Sequence, residues 1–266
     1  MVSTSWELAK KVRIDSLKMV ARAGASHIGS ALSIADIVAV LYENILNVDS
    51  KSPISQTRDR LILSKGHACV AIYAVLANKG FFPAADLESY GQDYSFLMNH
   101  ISHKVPGVEF STGSLGHGLP FGAGKAFYAK KHHEKWQTFV ILGDGEMDEG
   151  SNWEALMFAA HHRLSNLTAI IDYNKLQSLT TIEETLSIEP LADKLKAFGA
   201  MVLEVDGHSH QELLHAFKER ANQPKVIIAH TIKGKGVSFM ENQVLWHYRS
   251  PSEEQLKDAI TEIINA

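Results

Sequence analysis

The sequence predicts an α/β domain built on a mainly parallel sheet with helices on both faces. Three observations carry this. Apolar runs at 138–142 and 167–171 flank a helical pattern at 149–163, with tight joints between them. Strand, helix, strand in that order is a βαβ unit, whose strands lie parallel. The alternation resumes beyond residue 190, as expected of a parallel sheet covered on both sides. Finally, GDG at residues 143–145 sits between the first strand and its helix. Its glycines let backbone N–H groups approach an anion at the strand end.

In order, residues 6–23 read as a helix, with Leu8, Val12, Leu17 and Val20 near one face. GASHIGS (24–30) breaks it and frames His27. Ser33 is expected to N-cap a helix over 34–46, with Asp36 favourable in its first turn. A strand at 59–63 leads into SKGH (64–67) and a helix at 68–79 that closes on Gly80. Residues 82–112 look irregular and contain His100. TGSLGHGLPFGAG (112–124) then leads into a helix ending near Lys131. After the central unit come a helix at 190–198, a strand at 200–205 and a helix at 211–221. Ser209 and Glu212 form a candidate capping box for that last helix. A strand at 225–230 precedes TIKGKG, and Ser252 with Gln255 is expected to cap a final helix reaching Asn265.

The chain has 266 residues, 45% hydrophobic and 21% charged, ordinary values for a globular protein. One domain, 1–266, is expected, since no linker, repeat or low-complexity tract divides it. A net charge of −4 gives no support for nucleic acid, and no basic block argues for an anionic membrane. Cys69 is the single cysteine, so no internal disulfide forms. The start, MVSTSWELAKK, lacks a signal-peptide core. No apolar run reaches the ~20 residues a membrane span needs. A cytoplasmic location is the expectation.

Parallel strands end on one edge of the sheet, where ligands of open α/β sheets bind. Asp144 lies just past the first strand of the central unit and Asn174 just past the second. Two such oxygens suit a hard cation, Mg²⁺ or Ca²⁺, completed by phosphate oxygens and water. The plain alternative is an Asp-Gly turn; the strand before, the helix after and the later Asn tell against it.

Fourteen histidines do not by themselves make a metal site: HExxH and zinc spacings are absent. His132, His133, His161 and His162 fall in helical patterns and read as surface residues. His208 and His210, near a helix start, read as local hydrogen-bonding residues. His27, His67, His100, His117 and His247 sit in loops where bends bring side chains to an edge.

GDG followed by Asn about thirty residues later is the thiamine diphosphate motif. From about residue 8 to about 250 the chain resembles the amino-terminal domain of transketolases. The resemblance implies that Asp144, Asn174 and the Leu176 carbonyl hold the metal, and that Gly145 contacts the diphosphate. It implies that Lys65 and His67 of SKGH and Lys233 of TIKGKG lie near the cofactor. Gly113, Ser114 and Leu115 would run along its pyrimidine and thiazolium rings. His27 and His100 match sugar-contacting histidines, and His247 matches one near both cofactor and substrate. Glu149 matches an acid linking cofactor sites across a subunit interface. With His27, His100 and His247 it completes the candidate catalytic set.

Departures cluster on the substrate side. The family's GHP is SHI at 26–28, its GQG is GHG around His117, and a second GHP is NHI at 99–101. The metal motif is intact. The resemblance therefore implies transfer of a two-carbon ketol unit from a ketose, as its phosphate, to an aldose, with a specialised donor or acceptor. In the family a glutamate from a second, pyrimidine-binding domain activates the cofactor. That domain is not among these 266 residues. It is expected on a separate carboxy-terminal transketolase subunit, in an α2β2 heterotetramer. Three other readings stand beside this one: the alpha subunit of a 2-oxo acid dehydrogenase, which lacks SKGH and TGSLG, a deoxyxylulose phosphate synthase fragment, and a non-catalytic paralogue that binds a partner.

Overall fold

The computed structural model describes residues 2–266. Its elements are α1 (Val2–Ala23), α2 (Ile28–Ser33), α3 (Ala35–Val40), β1 (Arg60–Leu63), α4 (Cys69–Asn78), α5 (Gly118–Lys131), β2 (Thr138–Gly143) and α6 (Gly150–His161). There follow β3 (Leu167–Tyr173), α7 (Ile182–Thr185), α8 (Leu191–Ala197), β4 (Met201–Asp206), α9 (His210–Lys218), β5 (Lys225–His230) and α10 (Glu253–Asn265).

The five strands form one sheet in the order β1-β2-β3-β5-β4, and every pairing is parallel. The expected α/β class holds. The side-chain period of two sorts each inner strand onto two faces. Phe139, Ile141, Ile170 and Ile227 join an apolar cluster with α1–α4, α9 and α10. Val140, Leu142, Ala169, Ile171, Val226 and Ile228 join a second cluster with α5, α6 and α8. Both faces are buried, so these strands read as unbroken apolar runs. α1 packs along α3 and α4, which explains why α4 is buried over almost its whole length. Among the described residues, no helix is long and apolar enough to cross a membrane.

Most expected elements fall within a few residues of their places. Gly80 closes α4 with φ +79°, the left-handed value of a helix-ending glycine. Ser252 and Gln255 form the full reciprocal box on α10. Ser209 caps α9, but Glu212 bonds the amide of Asp206 instead, so that box is only half made.

The helix expected over 34–46 is different. Helical structure begins at Ile28, breaks at Ile34, and ends in a wider π turn, Leu41–Ile45. Ser33 is not an N-cap: its hydroxyl donates to Asp172 at 2.7 Å and to the Ser30 carbonyl at 3.0 Å. A tertiary carboxylate has taken the hydroxyl that local pattern assigned to a cap. Strand β3 also runs two residues past the expected 171, which places Asp172 inside the sheet.

Candidate active site

The βαβ unit fixes the floor of the site. In the β2–β3 register Gly143 pairs with Asp172, so both chains leave the sheet at one edge. The Asp144 amide donates to the Asp172 carbonyl at 3.3 Å. Asp144 Oδ1 accepts from the Gly145 amide at 2.8 Å, and Oδ2 accepts from the Lys175 amide at 2.5 Å. Asn174 Oδ1 accepts from the Leu176 amide at 3.1 Å. The aspartate and the asparagine thus each order the loop beyond β3.

Asp144, Asn174 and Leu176 line one cavity of about 230 Å³. Its lining also includes His27, Lys65, His67, His100, Gly113, Leu115, Gly145, Lys233 and His247. Twelve residues singled out from the sequence therefore meet in one place. Ser114 and Glu149 are exposed and stand outside the lining, with Glu149 at the N-cap of α6. His117 is exposed as well. A larger groove of about 580 Å³, between β4 and α9, contains one histidine and no lysine.

Lys65 and Lys233 give the cavity its charge. Lys65 Nζ lies 2.5 Å from Asp172 Oδ2 and 3.2 Å from the Ser30 carbonyl, with both ends of the ion pair buried. Asp172 also accepts from Thr231 Oγ1 and, at 3.1 Å, from Asn174 Nδ2. Burial alone would raise the Asp172 carboxyl, but Lys65, Ser33 and Thr231 outweigh it and hold it below the usual range. Lys233 Nζ donates to the carbonyls of Leu176 at 3.1 Å and Gln177 at 3.0 Å, and meets His247 Nδ1 at 3.1 Å. Burial and the Lys65 charge lower the Lys233 ammonium to about 8. Burial and the Asp172 charge raise Asp144 to about 6.

The four histidines line the same cavity. His27 lies 5.2 Å from His67, 5.8 Å from His100 and 5.0 Å from His247, ring centre to ring centre. His27 takes the left-handed conformation, φ +75°, a strained choice for a residue with a Cβ. Its amide donates to the His247 carbonyl at 2.8 Å, and Ser26 Oγ donates to the Tyr248 carbonyl at 3.0 Å. The SHI turn is therefore tied to the Trp-His segment. Burial, His100 and the two lysines lower His27 to about 4, and burial with Lys233 lowers His247 to about 3. His67 is pushed well below its ordinary value by burial and Lys65, and His100 is lowered by burial. His27 and His247 are therefore uncharged imidazoles at neutral pH. An anionic ligand would draw them back up.

Two acidic residues escaped the sequence reading. Asp172 organises Lys65, Ser33, Thr231 and Asn174; its signal was a charge inside an apolar strand. Glu146, buried at 1% exposure, accepts from Ser64 Oγ, from the Gly116 amide at 2.9 Å and from the Gly143 amide at 3.2 Å. It clamps SKGH, TGSLG and GDG together, and no local pattern marked it. His208 and His210 bond over long range to Asp36, not locally. His132, His133 and His161 are exposed as expected, and His162 is partly so.

Fold and site together define a cofactor-binding α/β domain: oxygen donors, two lysines and four histidines meet in one cavity at the strand ends. Over residues 4–262 the chain matches the family described as transketolase, thiamine diphosphate binding domain, and it belongs to that family. It is 40% identical to one of the subunits of apulose-4-phosphate transketolase from Phocaeicola vulgatus, covering 96% of this chain and 92% of that one. It is 39% identical to the 6-deoxy-6-sulfo-D-fructose transketolase subunit SqwG of a Clostridium species, covering 96% and 94%. The crystal structure of Campylobacter jejuni transketolase superposes with a TM-score of 0.94 at 31% identity, over 98% of this chain and 43% of that one. The transketolase reading is borne out, and the alternative readings are not favoured.

Proposed function

We propose that this chain is the diphosphate-binding subunit of a two-chain transketolase. It moves a two-carbon ketol unit from a ketose phosphate to an aldose, using thiamine diphosphate and Mg²⁺, with Ca²⁺ an acceptable substitute. The observation that carries this is the convergence of Asp144, Asn174 and Leu176 with four histidines in one cavity.

The residues fit the cofactor. One carboxylate, one amide oxygen and one carbonyl are hard donors of the number Mg²⁺ takes from protein when phosphate and water complete its shell. The buried Asp144 charge is opposed by Asp172, a conflict that a divalent cation relieves. Thiamine diphosphate, when bound, supplies a nucleophilic carbon that attacks a ketose carbonyl. Lys65 and Lys233 place positive charge beside the diphosphate end. Gly145 adds no side chain that would bar a phosphate, and Gly113 brings backbone beside His100, where a Cβ would stand 3.5 Å from the ring. His27, His100 and His247 accept protons from, or donate hydrogen bonds to, sugar hydroxyls. His67 lies nearer the diphosphate. Ser114 and Glu149, outside the lining, suit contacts with the cofactor rings and with another subunit.

Support for the second chain comes from relatives named as subunits, matched over nearly their whole length. That partner would bring the pyrimidine-binding domain with its activating glutamate, in an α2β2 assembly. The test is ketol transfer by this chain alone, by the partner alone and by the mixture. Turnover in the mixture only is expected. Turnover by this chain alone would refute the two-chain proposal.

A further inference from the structure

Asp36 of α3 is buried outside the cavity lining. Arg13 of α1 donates to both of its oxygens, at 3.1 and 2.5 Å. His208 Nδ1 lies 2.7 Å from Oδ2, and His210 Nε2 lies 3.0 Å from Oδ1. Burial opposes the charge, but Arg13 and the two imidazoles keep the carboxyl well below its usual range.

The other nitrogen of His208 fixes its tautomer. The Ile232 amide lies 2.8 Å from Nε2. A backbone N–H only donates, so Nε2 accepts and the ring proton sits on Nδ1, facing Asp36. Ile232 directly precedes Lys233. Beyond Lys233, Arg13 Nε donates to the Lys235 carbonyl at 3.1 Å. One buried charge cluster therefore grips the chain on both sides of the lysine that enters the site.

We propose that Asp36 and His208 are positioning residues for Lys233. The carboxylate fixes the imidazole, the imidazole fixes Ile232, and Ile232 holds the Lys233 ammonium against Leu176, Gln177 and His247. This rests on the proposed function only in assigning Lys233 to the cofactor end of the cavity.

The test needs no cofactor. The folded chain is acetylated with limiting N-hydroxysulfosuccinimide acetate, and each lysine is quantified by mass spectrometry. Lys225 is the internal standard: it is buried, remote from His208, and bonded to the carbonyls of Ala216, Phe217 and Glu219. In His208→Asn the amide still reaches Asp36 but falls short of Ile232. In His208→Gln the amide oxygen takes the place of Nε2. Lys233 labelling is expected to rise roughly fivefold in His208→Asn, as local opening becomes more frequent, and to stay near wild type in His208→Gln. Lys225 labelling stays constant in both. Wild-type labelling of Lys233 in His208→Asn overturns the proposal. If Lys225 becomes labelled as well, that variant has unfolded, and amide exchange of Ile232 in the wild-type chain decides. Protection matching β5 upholds the relay, and exchange as fast as in surface loops overturns it. Failure of cofactor binding, measured separately, would count against the proposed function and leave the relay standing.

Discussion

The ammonium of Lys233 lies 3.1 Å from the carbonyl oxygen of Leu176, the oxygen that the family resemblance assigns to the divalent ion. A lysine from one loop thus satisfies a carbonyl of another. Under the proposed function, Lys233 would also serve the diphosphate. Lys233→Met is expected to raise the dissociation constant of thiamine diphosphate in the two-chain complex by roughly tenfold or more, the size of one charge-assisted hydrogen bond. Calorimetry with Mg²⁺ present measures it, and an unchanged constant would refute this role.

The Lys65–Asp172 pair should behave as a buried ion pair. Asp172→Ala strands the lysine charge and is expected to cost about 3–5 kcal/mol of stability, read from urea unfolding. Lys65→Met combined with Asp172→Leu should recover part of that loss. A double variant no more stable than Asp172→Ala would show that the pair is not coupled as described.

The pocket histidines set an acid limit. The folded pKa of His27 is depressed to about 4, so its neutral form favours the fold. That contribution is fully present above the unfolded value of 6.5 and is lost as pH falls through 4. Histidine resonances followed by NMR should show His27 titrating near 4 in the cofactor-free chain. His27→Gln should retain more of its stability between these two values than wild type does. Titration of His27 at its ordinary value would contradict the described burial and charge.

How much of this was legible in the sequence follows from the range of the interactions. Asp144 and Asn174 were found because a βαβ unit forces its strand ends onto one edge, a local inference. The apolar runs of β2 and β3 likewise announced a sheet covered on both faces. Ser33 was misassigned because a serine before an apolar run looks like a cap, while its true partner, Asp172, lies far along the chain. Glu146 has partners in three separate motifs, and Asp36, legible only as a first-turn acid, is bonded by Arg13 of α1 and by His208 and His210 far along the chain; no spacing encodes such meetings. The histidines were separable from their loop positions, but their depressed pKa values come first from burial and, for His27, His67 and His247, then from charges that include two lysines of different loops.

Under the proposed function, the Ser26–Tyr248 bond bears on the substrate side. Ser26→Gly removes the tie at 3.0 Å and loosens the turn that carries His27 and faces His247. The relative kcat/KM for two acceptor aldoses is expected to shift by roughly fivefold, about one hydrogen bond. Affinity for thiamine diphosphate should stay constant. A loss of cofactor affinity with unchanged sugar preference would place this turn at the wrong end of the cavity.

The central claim is that Asp144 and Asn174, at neighbouring strand ends, hold a divalent ion against a diphosphate. Its most direct test is calorimetric titration of thiamine diphosphate into the assembled two-chain enzyme, comparing wild type with Asp144→Asn at saturating Mg²⁺. Binding that is abolished by chelation in wild type, and weakened by roughly a hundredfold in the variant, is the predicted result. Equal affinity in the two proteins would contradict it.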